Sequence, residues 1–176
     1  MKPKLLILSD LWGEEKSDWV AYYIKQLQNT FRIQYYDCCT LGALDTSIYT
    51  EENLHQQFIN GGIEIAVQNL LLLEKESVSI LAFSIGGLIA WKSALKGLDI
   101  NILYAISSTR LRYETNKPKN KVELYFGEND SYKPTSKWFN SMNIPTTIIP
   151  QKKHDIYTNP EFAMQLSIKI YTSVSL

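Results

Sequence analysis

The chain has 176 residues, of which 45% are hydrophobic and 20% are charged, values typical of a globular protein. Its 18 basic and 18 acidic side chains balance, so no overall electric field favours nucleic acid or an anionic membrane as a partner. Residues 1–176 are therefore expected to form a single domain with a substantial buried core.

The N-terminus and the cysteines indicate a cytoplasmic location. Only five apolar or small residues, 5–9, follow the basic start of the chain, which is too short for the core of a signal peptide. No apolar run approaches the length that spans a membrane. Cys38 and Cys39 are adjacent, an arrangement that disfavours a disulfide, and we expect reduced thiols at the end of a strand.

Six short segments are predicted to be strands because they are apolar or rich in β-branched and aromatic residues. The run 5–8 shows no alternation of polar and apolar residues, which is typical of a parallel strand covered on both faces. The six segments are 5–8, 31–36, 78–83, 100–106, 122–126 and 144–149.

Helical patterns separate these strands. Ser17 is predicted to cap a first helix, and Thr50 is predicted to cap a long segment, 51–74. The pair Gly61 and Gly62 lies in the middle of that segment and should kink it. Further helices are predicted over 86–96, from Pro134, and from Pro160 with Asn159 as its cap.

The alternation of strand and helix predicts an α/β fold. In such a fold, helices cover both faces of a single, mostly parallel six-stranded sheet. The segment 107–120 has no periodicity and is expected to be an exposed loop with about one helical turn.

A candidate nucleophile follows the third predicted strand, at the edge of the sheet where α/β proteins bind their ligands. Residues 82–86 read Ala-Phe-Ser-Ile-Gly, one residue away from the pattern G-x-S-x-G. Small residues two positions before and after Ser84 leave room for a sharp turn that presents its hydroxyl. The helix that starts here offers free N–H groups to an oxyanion. A serine that only caps the helix is the alternative.

A serine hydroxyl needs a base, and the base needs an acid that orients it. His154 follows the sixth predicted strand and so shares an edge with Ser84, whereas His55 lies in an amphipathic segment and is expected on the surface. Asp130 follows the fifth strand and is the candidate acid. The rival acids are Glu128, Asp99 and Asp155.

Ser84, Asp130 and His154, in this order and on these strand ends, resemble the catalytic triad of the α/β-hydrolase fold superfamily. The resemblance extends over nearly the whole chain and includes Gly127-x-x-Asp130 as the acid loop. Because the chain is too short for a full lid, it is most similar to the compact lidless serine hydrolases. The resemblance implies a minimal α/β-hydrolase fold that works without a metal or organic cofactor.

The resemblance also implies an oxyanion hole made of two backbone N–H groups. Ile85, the residue after the nucleophile, is one donor, and Leu11 in the loop after the first strand is the other, with Trp12 as the alternative. The superfamily commonly has His-Gly where this chain has Ser9-Asp10. This difference leaves the geometry of the hole open.

Other side chains near the expected site bear on the substrate. Arg110 and Arg112 follow the fourth strand and are suited to bind a carboxylate or the phosphate of a carrier-bound acyl chain. The residues alone favour a solvated basic loop, which Lys117, Lys119 and Lys121 continue. Trp12 is expected to line the acyl pocket.

The predicted function is cleavage of carboxylic esters through an acyl-enzyme, with a small-molecule ester or acyl substrate, free or carrier-bound, as the partner. A thioesterase or acyl-carrier ester hydrolase is the close alternative. From another class, a catalytically inactive binding module would fit the departures at Ser9-Asp10 and Ala82.

Overall fold

The computed structural model describes residues 2–173, and its strands form one six-stranded sheet. The strands are β1 (Lys4–Leu8), β2 (Arg32–Tyr36), β3 (Val78–Phe83), β4 (Ile100–Ile106), β5 (Lys121–Gly127) and β6 (Thr146–Ile149). They lie in the order β2-β1-β3-β4-β5-β6, and every neighbouring pair is parallel. The predicted α/β sheet is confirmed, and it is parallel throughout.

Helices cover both faces of the sheet. Those within residues 2–173 are α1 (Val20–Leu27), α2 (Cys38–Leu41), α3 (Glu51–Gln57), α4 (Ile63–Leu73), α5 (Ile85–Leu95), α6 (Ser136–Met142) and α7 (Pro160–Thr172). Helices α1 and α7 pack on the face that carries Leu5 and Ile7, and α2 to α6 pack on the face that carries Leu6 and Leu8. Burial on both faces explains why β1 is apolar at successive positions.

The helices can be compared with what is needed to cross a membrane. No helix of residues 2–173 combines the length and the apolar character needed to cross a membrane.

The strand order creates a crevice between β1 and β3. Strand β2 lies on one side of β1, and the chain then crosses to place β3 on the other side. The loops after β1 and β3 therefore leave in different directions, and such a switch point is where open α/β sheets bind ligands. Asp10 follows β1 and Ser84 follows β3, so the strand order alone places both residues at this crevice.

Two predicted helix caps and the predicted helix kink are confirmed. Thr50 Oγ1 accepts the N–H of Asn53 at 3.3 Å at the start of α3, and Asn159 Oδ1 accepts the N–H of Phe162 at 3.0 Å at the start of α7. The predicted kink is a π-helical turn between α3 and α4 in which Gly61 has φ +131°. That left-handed conformation suits glycine because it has no Cβ.

One capping prediction is wrong, and one short helix was not predicted. Ser17 does not cap α1, because the helix begins at Val20 and the buried Ser17 hydroxyl donates to the Gly13 carbonyl instead. Cys38 and Cys39 are free thiols just after β2, as expected, but they also begin the short helix α2. The carboxylate of Asp37 caps this helix by accepting two N–H groups of its first turn. The sequence signal for α2 was this aspartate, and four residues are too few to show a helical period.

The segment 107–120 is less exposed than predicted. It contains the 3₁₀ turn Thr109–Tyr113, in which Leu111 is fully buried in the core. The indole N–H of Trp91 donates to the Asn116 carbonyl at 3.1 Å, and that of Trp138 donates to the Glu114 carbonyl at 2.9 Å. These bonds tie the segment to α5 and α6, so it forms a fixed wall beside the carboxyl edge of the sheet.

The first turn of α5 packs against two of the loops at the carboxyl edge. A Cβ on Gly86 would lie 2.4 Å from the carbonyl oxygen of Ser9, and a Cβ on Gly87 would lie 1.8 Å from Oγ of Ser108. Non-bonded atoms do not approach so closely, so any side chain at either position displaces its neighbour. The two glycines therefore let α5 approach the loops that follow β1 and β4.

We expect Gly87→Ala to destabilise the protein by about 1–3 kcal/mol, because overpacking outweighs the gain of up to about 1 kcal/mol that alanine brings to a helix. Urea unfolding measures the effect. When Ser108 is first replaced by glycine, adding Gly87→Ala should lower the free energy of unfolding much less than it does in the wild type. Simple additivity of the two substitutions would show that the contact with Ser108 is not the cause.

Candidate active site

Ser84 occupies a strained turn between β3 and α5. Its φ and ψ are 49° and −115°, a combination that residues with a Cβ rarely adopt. Its N–H donates to the Ile106 carbonyl at 2.8 Å, which extends the pairing of β3 with β4 as far as the serine. Ala82 faces Leu8 and Ala105 in the adjacent strands and is fully buried. Alanine therefore serves where glycine is usual, because its neighbour in β4 is also small.

The structure brings Ser84, His154 and Asp130 together in one chain of hydrogen bonds. Oγ of Ser84 lies 3.1 Å from Nε2 of His154, and Nδ1 of His154 lies 2.8 Å from Oδ2 of Asp130. A carboxylate only accepts hydrogen bonds, so Nδ1 carries the proton and Nε2 is left as the acceptor for the serine hydroxyl. Asp130 is only 2% exposed, and its other oxygen accepts the N–H of Tyr132 at 3.1 Å.

Close contacts between loops hold the histidine in place. A Cβ on Gly127 would lie 2.4 Å from the Lys152 carbonyl oxygen, so only glycine lets the loop after β6 cross the end of β5 here. The same carbonyl accepts the N–H of Asn129 at 2.8 Å. The Ser107 hydroxyl, after β4, donates to the carbonyl of His154 at 2.6 Å. Loops after three different strands therefore fix the position of the imidazole.

The rival acids have other contacts. The Oε2 atom of Glu128 accepts the N–H of Gln151 at 2.8 Å, which directs this carboxylate to the loop after β6. The carbonyl of Asp99 accepts the N–H of Val78, the first residue of β3, so Asp99 lies at the opposite edge of the sheet. Of the candidate acids, Asp130 is the one whose carboxylate contacts His154.

The two predicted oxyanion donors line the same cavity as Ser84. Ile85 is the first residue of α5, and its N–H has no carbonyl one turn earlier in the helix to bond with. The N–H of Leu11 has no acceptor among residues 2–173. The N–H of Trp12 does have one, because it donates to Oδ1 of Asp10 at 2.9 Å. That bond removes Trp12 as the alternative donor.

Asp10 is a functional candidate that the sequence reasoning missed. Its carboxylate is 3% exposed and accepts hydrogen bonds from the Trp12 N–H and, at 3.0 Å, from the hydroxyl of Tyr157. Tyr157 belongs to the 3₁₀ turn that begins at His154, and its ring lies edge-on to the imidazole at 6.1 Å. Asp10 therefore couples the loop after β1 to the turn that carries the histidine. The sequence signal that could have indicated Asp10 was the pair Ser9-Asp10 itself, which stands where the superfamily commonly has His-Gly.

Both cysteines support the loop after β1. They are buried free thiols, and Sγ of Cys38 donates to the Ser9 carbonyl at 3.1 Å while Sγ of Cys39 donates to the Leu11 carbonyl at 3.2 Å. Burial raises the pKa of Cys39 to about 12, which keeps it a neutral thiol. Neither thiol is poised as a nucleophile, because the thiolate is the reactive form.

A cavity of about 680 Å³ opens in front of Ser84. Its lining includes Ile85, Tyr157 and the loop after β1, and on other sides the first residues of α3 and the 3₁₀ turn after β4. Trp12, expected in the acyl pocket, lines this cavity and packs against Tyr49 with a centroid separation of 5.6 Å and an angle of 55° between the ring planes. His55 is exposed, as predicted for a surface residue, yet it also lines the cavity.

Arg110 and Arg112 line this cavity as well. Nη1 of Arg112 donates to the Thr109 carbonyl at 2.9 Å, and its guanidinium lies 4.3 Å from the ring centroid of Tyr113. Both arginines are half-buried, so they are less solvated than the basic loop that the sequence indicates.

Comparison with solved structures identifies the fold. A protein assigned to the α/β hydrolase superfamily from Xanthomonas campestris pv. campestris matches with a TM-score of 0.72 and 13% identity, over 98% of this chain and 99% of that one. Mouse α/β hydrolase domain-containing protein 10 matches with a TM-score of 0.69 and 9% identity, over 99% and 90%. The α/β hydrolase MGS-MChE2, from a lagoon-sediment metagenome in Morocco, has a TM-score of 0.66 and 14% identity, over 100% and 93%.

At these identities the likeness concerns the fold, and the chain has the α/β-hydrolase fold that its motifs predicted. Comparisons of the sequence with protein-family models and with curated proteins gave no match.

The burial of Asp10 predicts a pH-dependent stability. Desolvation raises the pKa of this carboxyl to about 6, above its ordinary value of 3.8. The folded protein therefore binds this proton more tightly than the unfolded chain does. The contribution of the protonated Asp10 carboxyl to the free energy of unfolding is fully present below about pH 4 and is lost as the pH rises through about 6.

We therefore expect Asp10→Asn to be more stable than the wild type by about 1–3 kcal/mol at pH 8, with the difference shrinking toward pH 4. Urea unfolding at a series of pH values measures this. The exposed Asp18→Asn is the matched control and should show no such trend. A loss of stability in Asp10→Asn at pH 8 would show instead that the ionised carboxylate stabilises the fold.

Proposed function

We propose that this protein is a serine hydrolase that cleaves carboxylic esters through an acyl-enzyme. The observation that carries the proposal is the hydrogen-bonded chain Ser84–His154–Asp130, with heavy-atom distances of 3.1 and 2.8 Å, whose serine and histidine line a cavity. These are the contacts that activation of a serine hydroxyl requires: a base within reach of the nucleophile and an acid that orients the base.

The first half of the reaction forms the acyl-enzyme. Ser84 Oγ attacks the acyl carbon while its proton passes to Nε2 of His154, and the buried carboxylate of Asp130 stabilises the imidazolium. The imidazolium then protonates the leaving alcohol, and the carbon–oxygen bond to that alcohol breaks. The strained backbone at Ser84 supports this step because it presents the hydroxyl to the cavity instead of folding it back onto the helix.

The N–H groups of Leu11 and Ile85 stabilise the tetrahedral oxyanion. Both residues line the cavity beside Ser84, and the positive end of α5 adds to the field at Ile85. One such donor is worth about 10²–10³-fold in rate in related chemistry. Asp10 supports the hole indirectly by holding the Trp12 N–H, which fixes the path of the loop that carries Leu11.

The second half of the reaction releases the acyl group. A water molecule takes the place of the alcohol, His154 removes one of its protons, and the resulting hydroxide attacks the acyl-enzyme. Collapse of the second tetrahedral intermediate returns the proton to Ser84 and frees the carboxylic acid. The proton that Ser84 gives up leaves with the alcohol, and the attacking water supplies the proton that His154 returns to Ser84.

Thioester substrates are the close alternative, because the same groups would act on a thioester carbonyl. An inactive binding module receives less support from the geometry. Ala82 fits between Leu8 and Ala105 in the sheet, and with Ser9-Asp10 in place the Leu11 N–H still has no acceptor in the described part of the chain. Both departures are thus compatible with an active serine.

The nucleophile can be tested with a fluorophosphonate probe and a short p-nitrophenyl ester. We expect the wild type to be labelled and Ser84→Ala to lose labelling, with ester hydrolysis reduced by at least about 10³-fold. Ser136→Ala removes an exposed serine that makes no side-chain hydrogen bond among the described residues and serves as the control. Labelling that survives in Ser84→Ala would exclude this nucleophile, and an unlabelled wild type would favour the binding module.

The acid can be tested with Asp130→Asn. We expect kcat to fall by about 10²–10⁴-fold, because an amide neither fixes the histidine tautomer nor stabilises the imidazolium. Glu128→Gln removes the rival carboxylate nearby and should retain most of the activity. The reverse ranking of these two variants would transfer the acid role to Glu128.

A further inference from the structure

Two positively charged side chains that line the cavity form no ion pair in the described part of the chain. Among residues 2–173, neither Arg110 nor Arg112 forms an ion pair. Half-buried charges are usually paired, because removing them from water without a counter-charge is unfavourable. Two such guanidinium groups on the wall of a cavity that also contains Ser84 therefore need an explanation.

The two arginines differ in how they are held. Arg112 donates to the Thr109 carbonyl and, at 2.9 Å, to the hydroxyl of Tyr113, and it lies against the rings of Tyr113 and Tyr132. Arg110 also lies over Tyr113, at 5.1 Å, but its buried Nε–H has no acceptor within residues 2–173. Arg112 is thus fixed in place, whereas Arg110 retains an unused donor that an anion is suited to accept.

Two carboxylates that line the same cavity are more solvated than the arginines. Glu51 and Glu52 in the first turn of α3 line the same cavity, but both are exposed, so solvent screens them more than it screens the half-buried arginines. His55, one turn further along α3, responds to the arginines. Burial and the positive charges of Arg110 and Arg112 lower its pKa, which favours the neutral imidazole.

We propose that Arg110 and Arg112 form an anion subsite, which selects esters that carry a negatively charged oxygen group at a distance from the reacting carbonyl. The proposal rests on the proposed function, since the ester is the group that Ser84 would attack. The turn that carries both arginines begins two residues after Ser107, whose hydroxyl holds the carbonyl of His154. Subsite and catalytic histidine are therefore positioned by the same loop.

A pair of p-nitrophenyl esters of similar length tests the subsite. One is the monoester of adipic acid, whose acyl chain ends in a carboxylate, and the other is the neutral hexanoate ester. We expect the wild type to have a kcat/KM about 10-fold to 100-fold higher for the adipate ester, the range that charge-assisted hydrogen bonds supply. Arg110→Gln and Arg112→Gln should each lower this ratio by about 10-fold, mainly through KM.

Lys119→Gln is the matched control. It removes one positive charge from the same segment at an exposed position outside the cavity lining, so the ratio should not change. Equal kcat/KM values for the two esters in the wild type, or an equal loss of preference in Lys119→Gln, would overturn the subsite and leave the serine hydrolase intact.

Calorimetry separates this proposal from the proposed function. Adipate and inorganic phosphate are titrated into the wild type and into Arg110→Gln/Arg112→Gln, so that binding is measured without turnover. Binding of either anion that is lost in the double variant supports the subsite even if neither ester is hydrolysed, and the tighter anion identifies carboxylate or phosphate as the preferred group. If neither adipate nor phosphate binds the wild type, the proposed anion subsite is contradicted.

Discussion

The backbone turn at Ser84 is the constraint on which the rest of the site depends. A φ of 49° at a residue with a Cβ persists only where surrounding contacts leave no alternative. Here β3 lies in the interior of the sheet, and the first turn of α5 contacts the loop after β1 at Gly86 and the loop after β4 at Gly87. The contacts that maintain the strained turn are therefore also the contacts that assemble the cavity around it.

Asp10 connects the two halves of the site. One oxygen of its carboxylate accepts the N–H of Trp12 in the loop after β1, and the other accepts the hydroxyl of Tyr157, three residues after His154. A buried carboxylate with a raised pKa reduces stability at neutral pH, as does the strained serine. Departures of this kind from the most stable arrangement are expected at functional sites, where geometry matters more than stability.

The charge distribution of the cavity follows from the architecture. The turn after β4 is fixed by Leu111 in the core and by the indole groups of Trp91 and Trp138, so the arginines it carries are held beside the nucleophile. The carboxylates of α3 are solvated, while the guanidinium groups are partly withdrawn from water. Because charges interact more strongly where water is partly excluded, the arginines are the better-placed charges of this lining for an interaction with a ligand, although the protein as a whole is neutral.

The sequence by itself determined the strands, most helix boundaries and the strand ends at which Ser84, Asp130 and His154 lie. These features depend on local properties. Apolar runs mark the strands, Thr50 and Asn159 cap helices, and the three candidate residues lie in loops that follow strand ends. Only the tertiary structure decided that the Asp10 carboxylate occupies the Trp12 N–H, and that His55 and the two arginines share a cavity with Ser84. Those features depend on contacts such as Asp10 with Tyr157, 147 residues apart in the chain, which no local pattern encodes.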